Sequence, residues 1–228
     1  MNLLAIETSG PVLSIAIRKS GSKPREVMIQ GYMKHAENIL PVIDRLLKKE
    51  KLEIGDIDAF LIGRGPGSFT GLRVGFATLK GFLSTCPKPC YGAFSLDLIA
   101  AGIQPLKNTG DLTVCLDAKR GKLYSRSYRR HEKKWLPNGS SRVVFIGEMA
   151  RQVPEGSSIA GDGIRKIQTG NFKIIPEKSW FPRASTLIKL FEAHDPLLKK
   201  LTRPKELLPA YLRHSEPEEK LAEGRDHD

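Results

Sequence analysis

Residues that could bind a phosphate group cluster in one glycine-rich stretch, Gly63–Gly75. It reads Gly-Arg-Gly-Pro-Gly-Ser-Phe-Thr-Gly-Leu-Arg-Val-Gly and follows the apolar run Ile57–Ile62. Such a run is typical of a strand buried on both faces, so we expect the glycine loop at the carboxyl end of a strand, leading into a helix. Ser68 can cap that helix, and free amides at a helix start favour an anion. The stretch lacks the Gly-Lys-Ser/Thr ending of a P-loop and the dinucleotide-loop spacing, so a phosphate loop and an ordinary turn both stay open.

Acidic residues at predicted strand ends could complete such a site. Glu7-Thr8-Ser9 ends the first predicted strand and could hold a metal or phosphate against the loop, or could simply cap a hairpin turn. Asp117 begins the corresponding turn of the second half, and Gly161-Asp-Gly163 is a further glycine turn. Asp-Gly is also common in ordinary turns, so these acids do not decide the chemistry. The candidate phosphate-loop positions are Glu7, Thr8, Ser9, Gly65, Gly67 and Ser68.

Other catalytic patterns are missing from the sequence. Its five histidines show neither H-x-x-x-H nor H-E-x-x-H spacing, so no local zinc or iron pair is expected. Gly65-Pro-Gly-Ser68 only partly matches the G-x-S-x-G pattern of serine hydrolases. We therefore expect no local metal pair and no serine nucleophile.

Composition narrows the class of protein. Lys and Arg number 37 against 25 Asp and Glu, a net charge of +12, which makes nucleic acid or an acidic protein a candidate partner. Three cysteines without a C-x-x-C pair fit a reducing cytosol. No basic residue precedes the apolar run at the N-terminus, and Glu7 interrupts that run, so we expect no signal peptide. We also expect no membrane span and a cytoplasmic location.

The elements that would position these residues repeat in two halves. The pattern predicts three antiparallel strands, a helix over His35–Lys49, a strand over Leu52–Ile62, a helix over Ser68–Thr85, and a further strand and helix. A reduced copy of this order follows the turn-rich link at Gly102–Gly110. The pattern predicts mixed sheets covered by helices, with a cleft between two lobes. We expect lobes at 1–105 and 106–213 and an acidic, disordered tail at 214–228.

Two predicted helices carry apolar stripes that could meet a partner chain or the protein's own core. The residues recur at spacings of three and four, and Gly71 and Gly75 would let another helix approach closely. Core packing and a partner interface are both open from the pattern alone. The candidate interface residues are His35, Ile39, Leu40, Ile43, Leu47, Phe69, Gly71, Leu72, Gly75, Phe76 and Leu79.

A basic hairpin is the best nucleic-acid feature. Tyr124, Arg126 and Tyr128 alternate on one face of a predicted strand, with Arg129 and Arg130 just beyond. Arg126, Arg129 and Arg130 are the candidate nucleic-acid contacts. The alternative is an exposed sheet edge whose charges prevent pairing with another strand.

Five segments together resemble the TsaB (YeaZ) family: Leu4–Ser9, His35–Pro41, Gly65–Gly75, Asp117–Tyr124 and Pro209–Arg213. They span nearly the whole chain in order. The resemblance implies an α/β fold of the actin-like ATPase (ASKHA) type with two ribonuclease-H-like lobes. It also implies a non-catalytic scaffold subunit that binds and supports TsaD in the N6-threonylcarbamoyladenosine (t6A) modification of tRNA.

The resemblance also implies partners. A TsaD-like protein would form a heterodimer with the two striped helices, a TsaE-like ATPase would join through the complex, and the chain alone would form a homodimer. TsaD-like proteins carry an H-x-x-x-H metal pair where this chain has Ser95 and Ile99, which favours a scaffold with vestigial phosphate-loop positions. Glu7 stands where the family usually has aspartate. The alternative function is an enzyme, an ATP-dependent phosphotransferase or an M22-like metallopeptidase.

Overall fold

Two mixed sheets, one from each half of the chain, form the frame of the molecule. The computed structural model describes residues 1–31, 34–105, 110–167 and 170–213. The strands are β1 (Leu3–Glu7), β2 (Val12–Arg18), β3 (Arg25–Gln30), β4 (Ala59–Gly63), β5 (Cys90–Ala93), β6 (Leu112–Asp117), β7 (Lys122–His131), β8 (Lys134–Phe145), β9 (Ser158–Ala160), β10 (Lys173–Ile174) and β11 (Lys199–Lys200). The helices are α1 (His35–Glu50), α2 (Phe69–Thr85), α3 (Ser95–Gly102), α4 (Ile146–Gln152) and α5 (Ala184–Glu192). The acidic tail predicted at 214–228 lies outside the described residues.

The two sheets share a five-strand topology, and the first sheet adds β11 antiparallel to β5. The first has the order β11-β5-β4-β1-β2-β3 and the second β10-β9-β6-β7-β8. In each, three antiparallel strands come first and two further strands add on in parallel. This repeated arrangement confirms the predicted two-lobed, actin-like fold with ribonuclease-H-like sheets.

Strand β1 is apolar from Leu3 to Ile6 because helices cover both faces of its sheet, and only its last residue, Glu7, is charged. Leu4 and Ile6 pack in the core beneath α1 and α2, whereas Leu3 and Ala5 pack against α5 on the opposite face. Side chains of a strand alternate between faces, so apolar residues on both faces are expected of a strand that lies between two helical layers. The carboxyl end of this strand therefore sits where α2 begins.

Helix α3 lies between the two lobes. Its Leu96, Ile99 and Ala100 join the core of the second sheet, while Leu98 joins the layer beneath the first. The eight residues of the helix thus tie the lobes together through apolar contacts on opposite sides.

One predicted strand differs from the structure. The predicted strand over Leu52–Ile62 is wrong in its first part, because a 3₁₀ turn at Ile54–Asp56 is held by a reciprocal capping box between Glu53 and Asp56. Helix α1 begins at His35 and continues through the exposed Pro41. The domain limits stay a prediction. Helix α5 and strand β11 belong to the second half of the chain but pack on the first sheet.

Candidate functional site

A cleft between the lobes encloses a cavity of about 610 Å³. Three segments that lie far apart in the sequence meet around it: the glycine loop with the start of α2, the β6–β7 turn, and the last described residues of the chain. Its lining residues are Ser9, Gly10, Gly67, Ser68, Phe69, Thr70, Leu116, Asp117, Ala118, Lys119, Arg120, Tyr124, Asp162 and Arg213.

The first wall joins the end of β1 to the start of α2. The Ser68 amide donates to the Ser9 carbonyl at 2.7 Å, and the Ser68 hydroxyl caps α2 by accepting from the Gly71 amide at 3.2 Å. Gly67 is required here, since a Cβ at that position would lie 2.1 Å from the Ser9 carbonyl oxygen. The loop and the β1–β2 turn are thus locked together by backbone contacts.

The second wall is the β6–β7 turn, which Asp117 organises. Its carboxylate accepts from the Lys119 amide and ammonium, both at 2.8 Å, and pairs with Lys166 at 3.1 Å. Burial alone would raise the pKa of Asp117, but these hydrogen bonds outweigh burial and lower it. The Asp117 amide donates to Asp162 at 3.0 Å, and burial raises the pKa of the Asp162 carboxyl.

A C-terminal strap over Pro209–Arg213 crosses from one wall to the other. The Ala210 amide donates to the Arg64 carbonyl at 2.8 Å, and the Tyr211 ring stacks on Phe69 at 4.6 Å between centroids. The Arg213 guanidinium donates to the carbonyls of Ala118 and Lys119. The Pro209–Arg213 motif therefore joins the two walls of the cleft. Its sequence alone did not predict this contact.

The six predicted phosphate-loop positions divide into two groups. Ser9, Gly67 and Ser68 line the cavity, whereas Glu7, Thr8 and Gly65 do not. The Glu7 carboxylate is fully buried, accepts from the Ser9 amide at 2.5 Å and from the Ser95 hydroxyl at 3.2 Å, and would collide with any Cβ at Gly63. Burial raises the pKa of Glu7, and this group serves the packing of β1 rather than the cavity.

Most of the predicted interface residues pack inside the chain. The inner sides of α1 and α2 cover the first sheet. A Cβ added at Gly71 would lie 2.1 Å from the Thr8 carbonyl oxygen, and a Cβ added at Gly75 would lie 2.4 Å from Thr8 Oγ1. Leu40 is 55% exposed and Phe69 is half-buried. The buried members are His35, Ile39, Ile43, Leu47, Gly71, Leu72, Gly75, Phe76 and Leu79.

The outer sides of the same helices form a second surface, which we call the α1–α2 outer face and define by Leu40, Pro41, Arg73, Ala77 and Gly81. All five residues are exposed. A Cβ added at Gly81 would meet no atom within 4 Å. This face can therefore accept side chains from another molecule, which the buried residues of the stripes cannot.

The basic hairpin also separates into inner and outer residues. Arg126 forms an ion pair with the buried Asp97 of α3 at 2.8 Å, and the Tyr128 hydroxyl donates to the same carboxylate at 2.7 Å. Arg126 is thus held between the lobes, whereas Arg129 and Arg130 are exposed. Burial raises the pKa of Asp97, a residue that sequence reasoning missed because its partner lies 29 positions away.

Metal ligands and membrane spans can be checked across the described ranges. No three His, Cys, Asp or Glu side chains within residues 1–31, 34–105, 110–167 and 170–213 come together around a point where a metal ion could bind. None of the helices in those ranges has the length and apolarity needed to cross a membrane.

Comparisons with known proteins agree on one group of relatives. Residues 22–191 match the TsaD family model, described as tRNA N6-adenosine threonylcarbamoyltransferase. The chain is 31% identical over 67% of its length to the tRNA threonylcarbamoyladenosine biosynthesis protein TsaB of Escherichia coli, a match that covers 65% of that protein, less than two thirds. It is 26% identical to the TsaB of Buchnera aphidicola over 82% of this chain and 90% of the relative.

Among solved structures, YeaZ from Pseudomonas aeruginosa shares the fold. Its TM-score is 0.75 at 21% identity, and the match covers 92% of this chain and 99% of that one. The likeness spans both lobes, so the whole two-sheet frame described above is common to the two molecules.

Proposed function

Since the chain belongs to the TsaB/YeaZ family, we propose that it is a non-catalytic subunit in the biosynthesis of t6A in tRNA. It binds and supports a TsaD-type transferase through the α1–α2 outer face. The relatives' names support the pathway, and the exposed outer face supports the mode of action.

The observation that carries the binding proposal is the surface chemistry of this face. Ala77 and Gly81 lie one helical turn apart and both are exposed, which leaves room for a partner helix to approach closely. Leu40 and Pro41 are exposed apolar residues of α1, the helix that packs against α2. Exposed small and apolar residues, with exposed charges such as Asp44 and Arg73 on the same two helices, fit a helix-against-helix interface.

The same face explains the expected assembly states. Without its partner, the chain covers this face with a second copy and forms a homodimer. With the TsaD-type protein present, a heterodimer replaces the homodimer because both would use one surface. A TsaE-type ATPase then joins through the complex.

The non-catalytic part of the proposal rests on Ser95 and Ile99. The Ser95 hydroxyl accepts from the Gly65 amide and donates to Glu7, both at 3.2 Å, and Ile99 is 1% exposed in the core between the lobes. Both side chains are engaged in holding the fold together. They support a scaffold in which the transferase supplies the reacting groups.

A contact with tRNA inside the complex is favoured by the tip of the β7–β8 hairpin. Arg129 and Arg130 are exposed there together with Lys133, whereas Arg126 is committed to Asp97. We therefore restrict the proposed tRNA contact to the outer arginines. Modification of tRNA by this complex would take place in the cytoplasm.

Reconstitution tests the proposed function directly. Unmodified tRNA, a TsaD-type protein, a TsaE-type ATPase and the activated threonylcarbamoyl donor are combined with and without this chain, and t6A is measured by mass spectrometry. We expect modification to depend on the chain, and the chain alone to give none. Equal t6A formation in its absence would contradict the proposal.

A further inference from the structure

The basic tip of the β7–β8 hairpin continues into the first lobe along the edge strand β11. We propose that these two segments form one strip that contacts the phosphate backbone of a double-helical arm of tRNA. We call it the hairpin–β11 strip and define it by Arg129, Arg130, Lys133, Lys199 and Lys200. The inference rests on the proposed tRNA contact and extends it to the other lobe.

An ion pair between the lobes brings the two segments together. The Lys134 ammonium at the hairpin tip lies 3.0 Å from the carboxylate of Asp195, in the turn that connects α5 to β11. In that turn the Leu197 amide donates to the Asp195 carboxylate at 3.1 Å, and the Leu198 amide donates to the Asp195 carbonyl at 3.0 Å. Strand β11 begins at the next residue, so the Cα atoms of Asp195 and Lys199 lie within about 11 Å of each other.

The strip keeps a positive charge after the acids around it are counted. Residues 129–134 and 195–206 contain eight Lys or Arg and three acids. The acids are Glu132, Asp195 and Glu206. The last two each pair with a base of the same ranges, and Asp111, from outside them, lies 3.9 Å from Arg129. An excess of four positive charges remains when Asp111 is included, which favours a polyanion as the ligand.

The two lysines of β11 lie on opposite faces of the first sheet at its edge. Lys200 is in register with Tyr91, whose ring packs on Phe191 of α5, so Lys200 is on the α5 face. Lys199 is in register with Gly92 and is on the other face. Both lysines are exposed, and no acid among the described residues forms an ion pair with either of them. Their charges are therefore available to a ligand.

The strip leaves the proposed partner face accessible. Helices α1 and α2 cover one face of the first sheet, and α5 covers the other. The hairpin tip reaches the first lobe at the turn that follows α5. A TsaD-type protein on the α1–α2 outer face and an RNA on the strip can therefore bind at the same time.

The aromatic rings near the hairpin tip favour a duplex over a single strand. Tyr128 and Trp135 are buried, so neither can stack on a base. His131 is the one exposed aromatic ring within the described ranges 128–135 and 195–206. Single-strand sites use successive stacking platforms, whereas double-helical RNA is recognised through its backbone and its shape. A row of cationic side chains with one ring fits the second mode.

Binding of unmodified tRNA to the complex of this chain with a TsaD-type protein tests the strip. Fluorescence anisotropy gives the Kd at several salt concentrations for the wild type, for Lys199→Gln with Lys200→Gln, and for the control Lys23→Gln with Lys178→Gln. The control removes two exposed lysines that lie outside the strip. We expect the first variant to bind about tenfold more weakly near 0.1 M salt and to reduce the salt slope by about 2, and the control to change the Kd by about twofold or less.

A charge-conserving variant separates charge from strand pairing. Lys199→Arg with Lys200→Arg should bind tRNA within about twofold of the wild type, because phosphate contacts need only the positive charge. Lysines on an edge strand can also serve to prevent pairing with another sheet. In that case the glutamine variant would self-associate on a sizing column while its monomeric fraction kept full tRNA affinity, which would overturn the proposal.

Two further results decide the kind of partner. The wild-type complex should bind an RNA duplex of about 16 base pairs more tightly than a single strand of the same length, and the glutamine variant should lose most of that difference. Loss of binding to the TsaD-type protein in the glutamine variant would make the strip a protein contact and overturn the proposal. Equal tRNA affinity of the glutamine variant and the control would also overturn it, even where t6A formation still depends on the chain.

Discussion

Helix α2 carries glycines on its inner and its outer side, and only the inner ones lie close to other atoms of the chain. A Cβ at Gly71 would overlap a backbone carbonyl oxygen at 2.1 Å, whereas one at Gly81 would meet nothing within 4 Å. The inner glycine lets the helix reach the end of β1, and the outer glycine leaves the surface open. Small residues in a helix therefore indicate close approach, but only the fold decides whether the neighbour belongs to the same chain.

Strand β7 repeats this contrast with arginines. Arg126 is held by the buried Asp97, while Arg130, four residues on, is exposed at the hairpin tip. A basic residue in a charge-rich segment can thus form an ion pair that joins two lobes, or it can be exposed to solvent. In both elements the inner residue should control stability and the outer residue should control association.

The largest effect is expected on the inner side of α2. Gly71→Ala should lower the free energy of unfolding by about 3 kcal/mol, because the new methyl group forces the helix away from β1. Denaturant unfolding followed by circular dichroism measures the change. A Gly71→Ala variant as stable as the wild type would show that the two elements are not in contact as described.

Removing the inner arginine should cost less. Arg126→Ala leaves the Asp97 carboxylate buried without its cation, although the Tyr128 hydroxyl still donates to it, so we expect a loss of about 2 kcal/mol. The matched variant Arg130→Ala should change stability by about 0.5 kcal/mol or less. Equal losses in the two variants would remove the distinction between inner and outer residues.

Acidification tests a contact between the two halves of the chain. Glu26 of β3 accepts from the Ser185 amide at 3.0 Å and from Arg183 at 2.9 Å, at the start of α5. Burial opposes ionisation, but these donors outweigh burial and lower the pKa of Glu26. Its stabilising contribution is complete above the ordinary value of 4.5 and is lost as the pH falls through the lowered value.

Glu26→Gln isolates that contribution. We expect the unfolding free energy of the wild type to fall more steeply than that of the variant below pH 4.5, and the two slopes to agree near neutral pH. Parallel curves over the whole range would contradict the proposed capping of α5.

A small gain in stability is expected from a substitution on the outer side of α2. Gly81→Ala should raise the free energy of unfolding by about 0.5–1 kcal/mol, because alanine favours a helix and the added methyl group meets no neighbour. The same denaturant series used for Gly71→Ala measures it. A loss of stability would mean that this side of the helix is packed within the monomer.

Local sequence patterns predicted most of the helices and strands, but they did not predict which distant residues contact one another in the fold. The stripes of α1 and α2 and the three-strand starts of both halves followed from periodicity alone. The strap across the cleft, the Asp97–Arg126 pair and the capping of α5 by Glu26 did not, because each joins residues brought together only by the fold. Ser9 and Ser68 were found as loop residues, but the cavity beside them depends on the second lobe.

Binding to the TsaD-type protein tests the central claim most directly. Its affinity is measured by titration against the wild type, Gly81→Ala and Gly81→Arg, with melting curves to confirm that all three fold. We expect Gly81→Ala to bind like the wild type or nearly so, and Gly81→Arg to lose about 30-fold or more in affinity, as a large residue at an interface centre should. Unchanged binding of a folded Gly81→Arg variant would contradict the assignment of the α1–α2 outer face.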